Sequence, residues 1–167
     1  QGTGEVSNAD ALIVRVVEDK HELLQLMLAV WGSHKMMIDL HTYDVAEIDA
    51  LGLFTAAGET AALASWTRRD ETAYLCALHS LRPGEGVAVR MLDAVKAAAR
   101  AAGAKKLKAM LTNHNMPGLT FYQRQGFRLS GLYPEAIDHY RSVIPTIIMT
   151  GYRNIPVHDA LELEIEL

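Results

Sequence analysis

The stretch best suited to chemistry is Arg82-Pro83-Gly84-Glu85-Gly86-Val87-Ala88. A strand-like run from Thr72 to Ser80 precedes it, and a helix-like run from Val89 to Arg100 follows. A glycine-rich turn at such a junction leaves several backbone N–H groups without partners, all aimed one way. The helix dipole adds partial positive charge there, so the turn suits a phosphate or pyrophosphate. Taken alone, it is equally a tight strand-to-helix connection. No Gly-Lys-Ser/Thr follows, which excludes a Walker A loop. The preceding strand reads as part of an antiparallel meander, and no ribose-binding carboxylate stands at the expected distance. Both facts count against a Rossmann fingerprint.

Other reactive side chains read as ordinary. Cys76, on a buried-looking strand, is a small apolar filler. His34 and His41 lack metal-site spacing and a third ligand, so no metal is expected. Met27, Met36, Met37 and Met91 read as core. Glu162, Glu164 and Glu166 alternate with apolar residues and read as a solvated carboxylate face.

The elements that must position the turn follow from periodicity. Leu12–Val17 is a first strand. Asp19 is placed to cap a helix with Leu23, Leu24, Met27, Leu28 and Trp31 on its apolar positions, and Gly32 suits its C′ position. Residues 33–49 show no clean period and read as an irregular loop with a helical turn, able to supply substrate contacts. Strands 50–56, 60–67 and 72–80 follow at the tight spacing of an antiparallel meander. The helix after the turn carries Ala88, Leu92, Val95 and Ala99 along its core face and ends at Gly103. Strand 107–112 comes next. A helix joins it to strand 72–80, so the two should be parallel with a right-handed crossover. Asn115 can cap a second helix that Gly126 stops, with Pro117 in its first turn. Strand 127–132, a short helix over 135–141 and an alternating strand over 161–167 complete the chain. The segment 134–160 reads as an elaboration before the last strand.

The 167 residues suffice for one domain with a full core. At 50% hydrophobic and 22% charged, the composition is that of a soluble globular protein. The net charge of −4 gives no electrostatic case for nucleic acid. The single cysteine excludes an internal disulfide. No apolar run reaches a membrane span and no signal-peptide pattern is present, so the expected compartment is the cytoplasm. Residues 1–10 read as a flexible or appended leader.

A second stretch sharpens the turn. Asn115…Gly118…Tyr122…Gly126-Phe127 resembles the Asn-x-x-Ala-x-x-x-Tyr-x-x-x-Gly-Phe segment of the GNAT N-acetyltransferase superfamily. Arg82–Ala88 resembles that family's Gln/Arg-x-x-Gly-x-Gly/Ala pyrophosphate loop, with Gly86 and Ala88 in its last two glycine positions. The two motifs stand in the family's order and at its spacing. Pro83 departs from the Gln/Arg position and offers no N–H, while Arg82, one residue early, offers a charge instead. Gly118 replaces the usual Ala.

The resemblance implies an α/β (α+β) fold. Its sheet would be mixed, mostly antiparallel and twisted, of six or seven strands, with a central splayed parallel pair and flanking helices. It implies acetyl-CoA as cosubstrate, with the pantetheine arm along Leu78, His79 and Ser80. The pyrophosphate would lie on Arg82, Gly84, Glu85, Gly86, Val87 and Ala88, and Asn115 and Tyr122 would touch the arm. A primary amine attacks the thioester directly in this family, and Tyr122 hydrogen-bonds the departing thiolate. The attacking amine must be neutral, so a general base is useful. His79 is one candidate, with Glu47, Asp49 and His114 as others. Strict alternation puts His79 on the opposite strand face from Cys76 and Ser80, and its unperturbed pKa of ~6.5 suits the task. A packed histidine without a catalytic role is the blander reading.

The expected function is N-acetyl transfer to a small-molecule or protein amine. A non-catalytic acyl-CoA-binding sensor is the alternative, and a nucleotide-binding domain of another class is a third reading. No acceptor is named by the sequence, and a homodimer stays open.

Overall fold

The structure, a computed structural model, describes residues 11–82, 84 and 86–167. The expectations for residues 1–10, Pro83 and Glu85 lie outside the described residues.

In chain order the elements are β1 (Ile13–Val16), α1 (His21–Val30), β2 (Lys35–Ile38), β3 (His41–Asp44), β4 (Asp49–Phe54), β5 (Thr60–Arg69), β6 (Thr72–Ser80), α2 (Val87–Ala101), β7 (Lys106–Thr112), α3 (Met116–Arg124), β8 (Arg128–Tyr133), α4 (Ala136–Val143) and β9 (Ala160–Glu166). One sheet of seven strands runs in the order β1-β4-β5-β6-β7-β9-β8. Its neighbours are antiparallel except β6 and β7, which are parallel. This is the mixed sheet with one parallel pair that the sequence predicts. The reason is α2, which returns the chain to the same end of the sheet before β7 begins.

Each face of the sheet is covered. Val87, Met91, Leu92 and Val95 of α2 share one buried cluster with Leu53, Leu75 and Leu107. Leu23 and Met27 of α1 and Ile137 of α4 share a second with Leu63, Cys76 and Met110 on the other face. At 10 residues, α1 is too short to persist alone, so this burial holds it. Each fully buried Leu or Met contributes about 1.5–3 kcal/mol.

Three local expectations are corrected. Residues 33–49 are not an irregular loop: β2 and β3 form a hairpin, paired from Lys35↔Asp44 to Ile38↔His41. Its two turn residues, Asp39 and Leu40, both have positive φ, 53° and 65°. That is the backbone of a two-residue hairpin turn, but without the glycine that normally announces it. At α1, the cap position is Lys20, whose side chain makes no capping bond, and Asp19 instead accepts the His21 N–H at 3.1 Å. Gly32 does close that helix at φ 92°, and a Cβ there would fall 2.0 Å from the Thr146 carbonyl oxygen. On β9, Glu162 is buried rather than solvated. Its carboxylate accepts the Asp39 N–H at 3.0 Å and the Tyr133 hydroxyl at 3.1 Å.

Candidate functional site

β6 and β7 pair only from Thr72↔Lys106 to Leu75↔Ala109. Past that point the strands part. On β6, Leu75 lies opposite Trp66 and Ala77 opposite Ser65, so Cys76 is an extra residue, a bulge that bends the strand. β7 keeps its pairing with β9 as far as Thr112↔Ala160. The β7-facing backbone of Cys76–Ser80 therefore pairs with no strand among the described residues. Such an edge can take an extended ligand in place of a strand.

The bulge also resets which way side chains point. Cys76 and Ala77 both join the cluster on the α1 face. His79 then falls on the same face as Cys76, which corrects the strict-alternation expectation. Ser80 and Leu78 turn towards α2 and α3, so His79 and Ser80 are on opposite faces as expected.

The gap between the strands has two lobes that share Cys76, Ala77, Leu78, Met110, Leu111 and Asn115. The lobe towards α2 and α3 measures about 360 Å³ and is lined further by Ser80, Ala88, Gly118, Phe121 and Tyr122. The lobe towards α1 measures about 130 Å³ and is lined further by Met27, Val30, Trp31, Met36, His79 and His114. A groove running from Gly84 and Gly86 past Thr120 and Arg124 lies between the turn and α3.

The sequence-predicted residues divide among these parts. Gly84 and Gly86 have φ of 83° and 68°, and nothing lies within 4 Å of where a Cβ would stand on either. Gly86 is the N-cap of the 15-residue α2, which carries no acid in its first turn. The first N–H groups of that helix have no intrahelical acceptor, and the groove opens beside them. An anion would fit there on charge and on space. Ala88 lines the larger lobe. The Val87 side chain is in the core, so only its backbone is available. Arg82 pairs with Glu59 at 2.9 Å and lines a separate cleft with Thr55 and Ala57.

Asn115 caps α3: its Oδ1 accepts the Gly118 N–H at 2.9 Å. Tyr122, 8% exposed, is held edge-on between Phe121 and Phe127, each at 5.2 Å. Burial pushes its hydroxyl pKa up, so the group stays a proton donor.

Of the base candidates, Glu47 and Asp49 are exposed and line neither lobe. His79 and His114 both line the smaller one. Burial pushes both imidazoles down, which keeps them neutral at pH 7. The buried His79 Nε2 has no hydrogen-bond partner. His114 Nδ1 lies 2.6 Å from Thr112 Oγ1, and its ring rests where a Cβ on Gly151 would stand, 2.1 Å from Cδ2. Burial pushes the Cys76 thiol up to about 12, which leaves it un-ionised and a poor nucleophile.

Sequence reasoning missed Trp31 and Met36, which read as core, and Val30, Thr120 and Arg124, which carry no motif. Trp31 had one signal: it follows Met27 by one helical turn at the end of α1, where the helix opens onto the lobe.

No family model matches the chain. Two Bacillus subtilis (strain 168) proteins resemble it in sequence. The uncharacterized protein YxbD is 29% identical over 82% of this chain and 86% of its own length. The uncharacterized protein YdhI is 24% identical over 85% of this chain and 89% of its own length. Solved structures agree in fold. The IAA acetyltransferase of Bacillus cereus ATCC 14579 superposes with TM-score 0.72 at 16% identity, over 93% of this chain and 99% of that one. A Bacillus subtilis acetyltransferase in complex with CoA gives 0.71 at 19%, over 93% and 99%. A GNAT family acetyltransferase of Elizabethkingia anophelis with acetyl-CoA bound gives 0.69 at 15%, over 95% and 99%. The chain has the fold of these solved acetyltransferases, one of them of the GNAT family.

Proposed function

We propose that the chain is an acetyl-CoA-dependent N-acetyltransferase that passes acetyl to a primary amine by direct attack. One observation carries the reading. The parting of β6 from β7 joins an anion-suited turn, an open strand edge and Tyr122 on one side to His79 and His114 on the other. The N–H groups at Gly84, Gly86 and the start of α2 would hold the pyrophosphate, with Arg124 beside them. The open β6 edge at Leu78–Ser80 would pair with the amides of the pantetheine arm. Solved proteins of this fold carry CoA or acetyl-CoA, which supports that cosubstrate.

The thioester would then lie in the gap, near Asn115 and Tyr122, with the acceptor reaching it through the smaller lobe. The amine lone pair forms the C–N bond to the thioester carbonyl carbon. The C–S bond breaks and sulfur leaves with its electron pair. Nitrogen loses one proton and sulfur gains one, giving amide and free thiol. Tyr122 donates a hydrogen bond to the developing thiolate. A thiol has a pKa of ~8.5, below that of tyrosine, so the hydroxyl keeps its own proton. His79, whose Nε2 has no hydrogen-bond partner, would accept the proton from nitrogen. A chain of this kind works where acetyl-CoA is made, in the cytoplasm.

The test is a melting curve with and without acetyl-CoA, followed by thiol release across an amine panel. Saturating cosubstrate at about 100-fold its Kd stabilises by ~2.7 kcal/mol, so an unmoved curve sinks the cosubstrate assignment. A second reading, an acyl-CoA sensor, is favoured by one observation: no carboxylate lines either lobe among the described residues. Stabilisation without thiol release from any amine would select it.

A further inference from the structure

The smaller lobe says what kind of amine belongs there, taking the acetyltransferase reading as given. Its walls are Met27, Val30, Trp31, Met36, Cys76 and Met110, with His79, His114, Thr112 and Asn115 as the polar members. None of these is anionic. An ammonium entering such a lobe gives up its water for thioethers, an indole and uncharged imidazoles, a costly exchange without a paired carboxylate. Three carboxylates of the sheet and hairpin lie outside the lobe and are already engaged. Asp39 is held by Tyr74 and Arg69, Glu162 by Tyr133, and Glu164 by Lys106. The size points the same way: at about 130 Å³ the lobe approaches the roughly 150 Å³ apolar cavity that holds a benzene ring.

We propose that the acceptor is a weakly basic amine on a flat apolar body, an arylamine, rather than a polyamine or a lysine-type ammonium. The nitrogen lone pair of an arylamine is delocalised into its ring, so the amine arrives uncharged and no base must strip it first. The proton that remains to be removed is the acidic one left on nitrogen after the C–N bond forms. A neutral imidazole is strong enough to take it, and the thiolate takes a proton in turn, so the balance of the transfer is unchanged.

The experiment compares 4-methylaniline, benzylamine and spermidine as acceptors, with thiol release from acetyl-CoA as the readout. The expected result is a kcat/KM for 4-methylaniline at least about tenfold above the other two. Equal or better use of benzylamine or spermidine overturns the inference. A second arm places a carboxylate at the exposed rim with Val30→Glu. This should move the benzylamine-to-4-methylaniline ratio about tenfold towards benzylamine, and an unmoved ratio counts against the inference. Acetyl-CoA-induced thermal stabilisation is recorded in both arms. Stabilisation with transfer only to basic amines overturns the acceptor class alone. Stabilisation with no transfer to any amine overturns it in favour of a sensor. No stabilisation overturns the acetyltransferase reading and the acceptor class with it.

Discussion

The Tyr74 hydroxyl donates to the Asp39 carboxylate at 3.0 Å, across 35 residues of sequence. The contact fastens the tip of the β2–β3 hairpin to the sheet. Arg69 reinforces it, donating to the Tyr74 hydroxyl at 3.0 Å and to the Tyr43 hydroxyl at 3.2 Å, while the Tyr43 and Tyr74 rings stack at 5.5 Å. Burial first, and the Asp39 hydrogen bond second, push the Tyr74 hydroxyl up to about 12. Met36, on the same hairpin, forms part of the smaller lobe, so the tether sets that wall. Hydrogen bonds to charged groups contribute about 1.5–3 kcal/mol, so Asp39→Ala should lower stability by that order in urea unfolding. Tyr74→Phe keeps the ring stack but removes the same bond to the carboxylate, so it should cost a similar amount, about 1.5–3 kcal/mol. Equal stability of Asp39→Ala and the parent would mean the tip is held by packing and by the Asp39 N–H bond to Glu162.

Asn115 and Gly118 form a coupled pair at the start of α3. Replacing Gly by Ala inside a helix gains about 0.8–1 kcal/mol. Here the new Cβ would stand 2.7 Å from Asn115 Nδ2 and displace the side chain that caps the helix. A lost Asn cap costs typically ~1 kcal/mol, so the two effects cancel. Gly118→Ala alone should therefore leave the melting point nearly unchanged. In an Asn115→Ala background the clash and the cap are both gone, and the same change should stabilise by about 1 kcal/mol. Additive effects in this double-mutant cycle would disprove the coupling.

How much of this was readable beforehand depended on the range of the interactions. The β4–β5–β6 meander and the parallel crossover follow from short turns and one helical period, both local signals. The Gly turn and the Asn115–Phe127 segment were legible because a turn and a cap need particular residues at particular positions. The β2–β3 hairpin was not, because Leu40 in the left-handed region is paid for by contacts made far away, among them Asp39 to Tyr74 and to Glu162. The same contacts bury Glu162, which alternation alone placed in solvent. The face of His79 was misread for a third reason: one extra residue at Cys76 reverses the parity, and a bulge has no signature in a uniformly apolar strand. The lobe lining from Trp31 and Met36 looked like core because a cleft and a core take the same residues.

Acid should weaken the fold through His79. Burial lowers its folded pKa below the unfolded value of ~6.5. Between those two values the unfolded chain binds a proton that the folded chain does not. Stability therefore rises with pH through this window, is complete above ~6.5, and is lost as pH falls below it. His114, lowered by burial as well, adds in the same direction. His79→Gln should flatten the fall in unfolding free energy between about pH 7.5 and about pH 5, measured in urea at each pH. A variant whose profile parallels the parent's would show that the His79 ring titrates alike in the folded and unfolded chain.

Tyr122→Phe isolates the hydroxyl. The ring contacts with Phe121 and Phe127 are unchanged by the substitution, so the fold should hold. What goes is a donor that burial keeps protonated throughout the working pH range. If that donor meets the leaving sulfur, its loss falls on the transition state, where negative charge develops, and hardly on ground-state binding. The expected result is a fall in kcat of about 10²-fold, at the lower edge for acid–base assistance because the proton is shared rather than passed. KM for acetyl-CoA should change little, and thermal stabilisation by acetyl-CoA should persist. An acceptor with a better thiol-displacing nitrogen would need the donor less, so the penalty should shrink along a series of increasingly nucleophilic arylamines. A variant with parental kcat would place Tyr122 in the helix packing alone and leave the thiolate to be stabilised by another group.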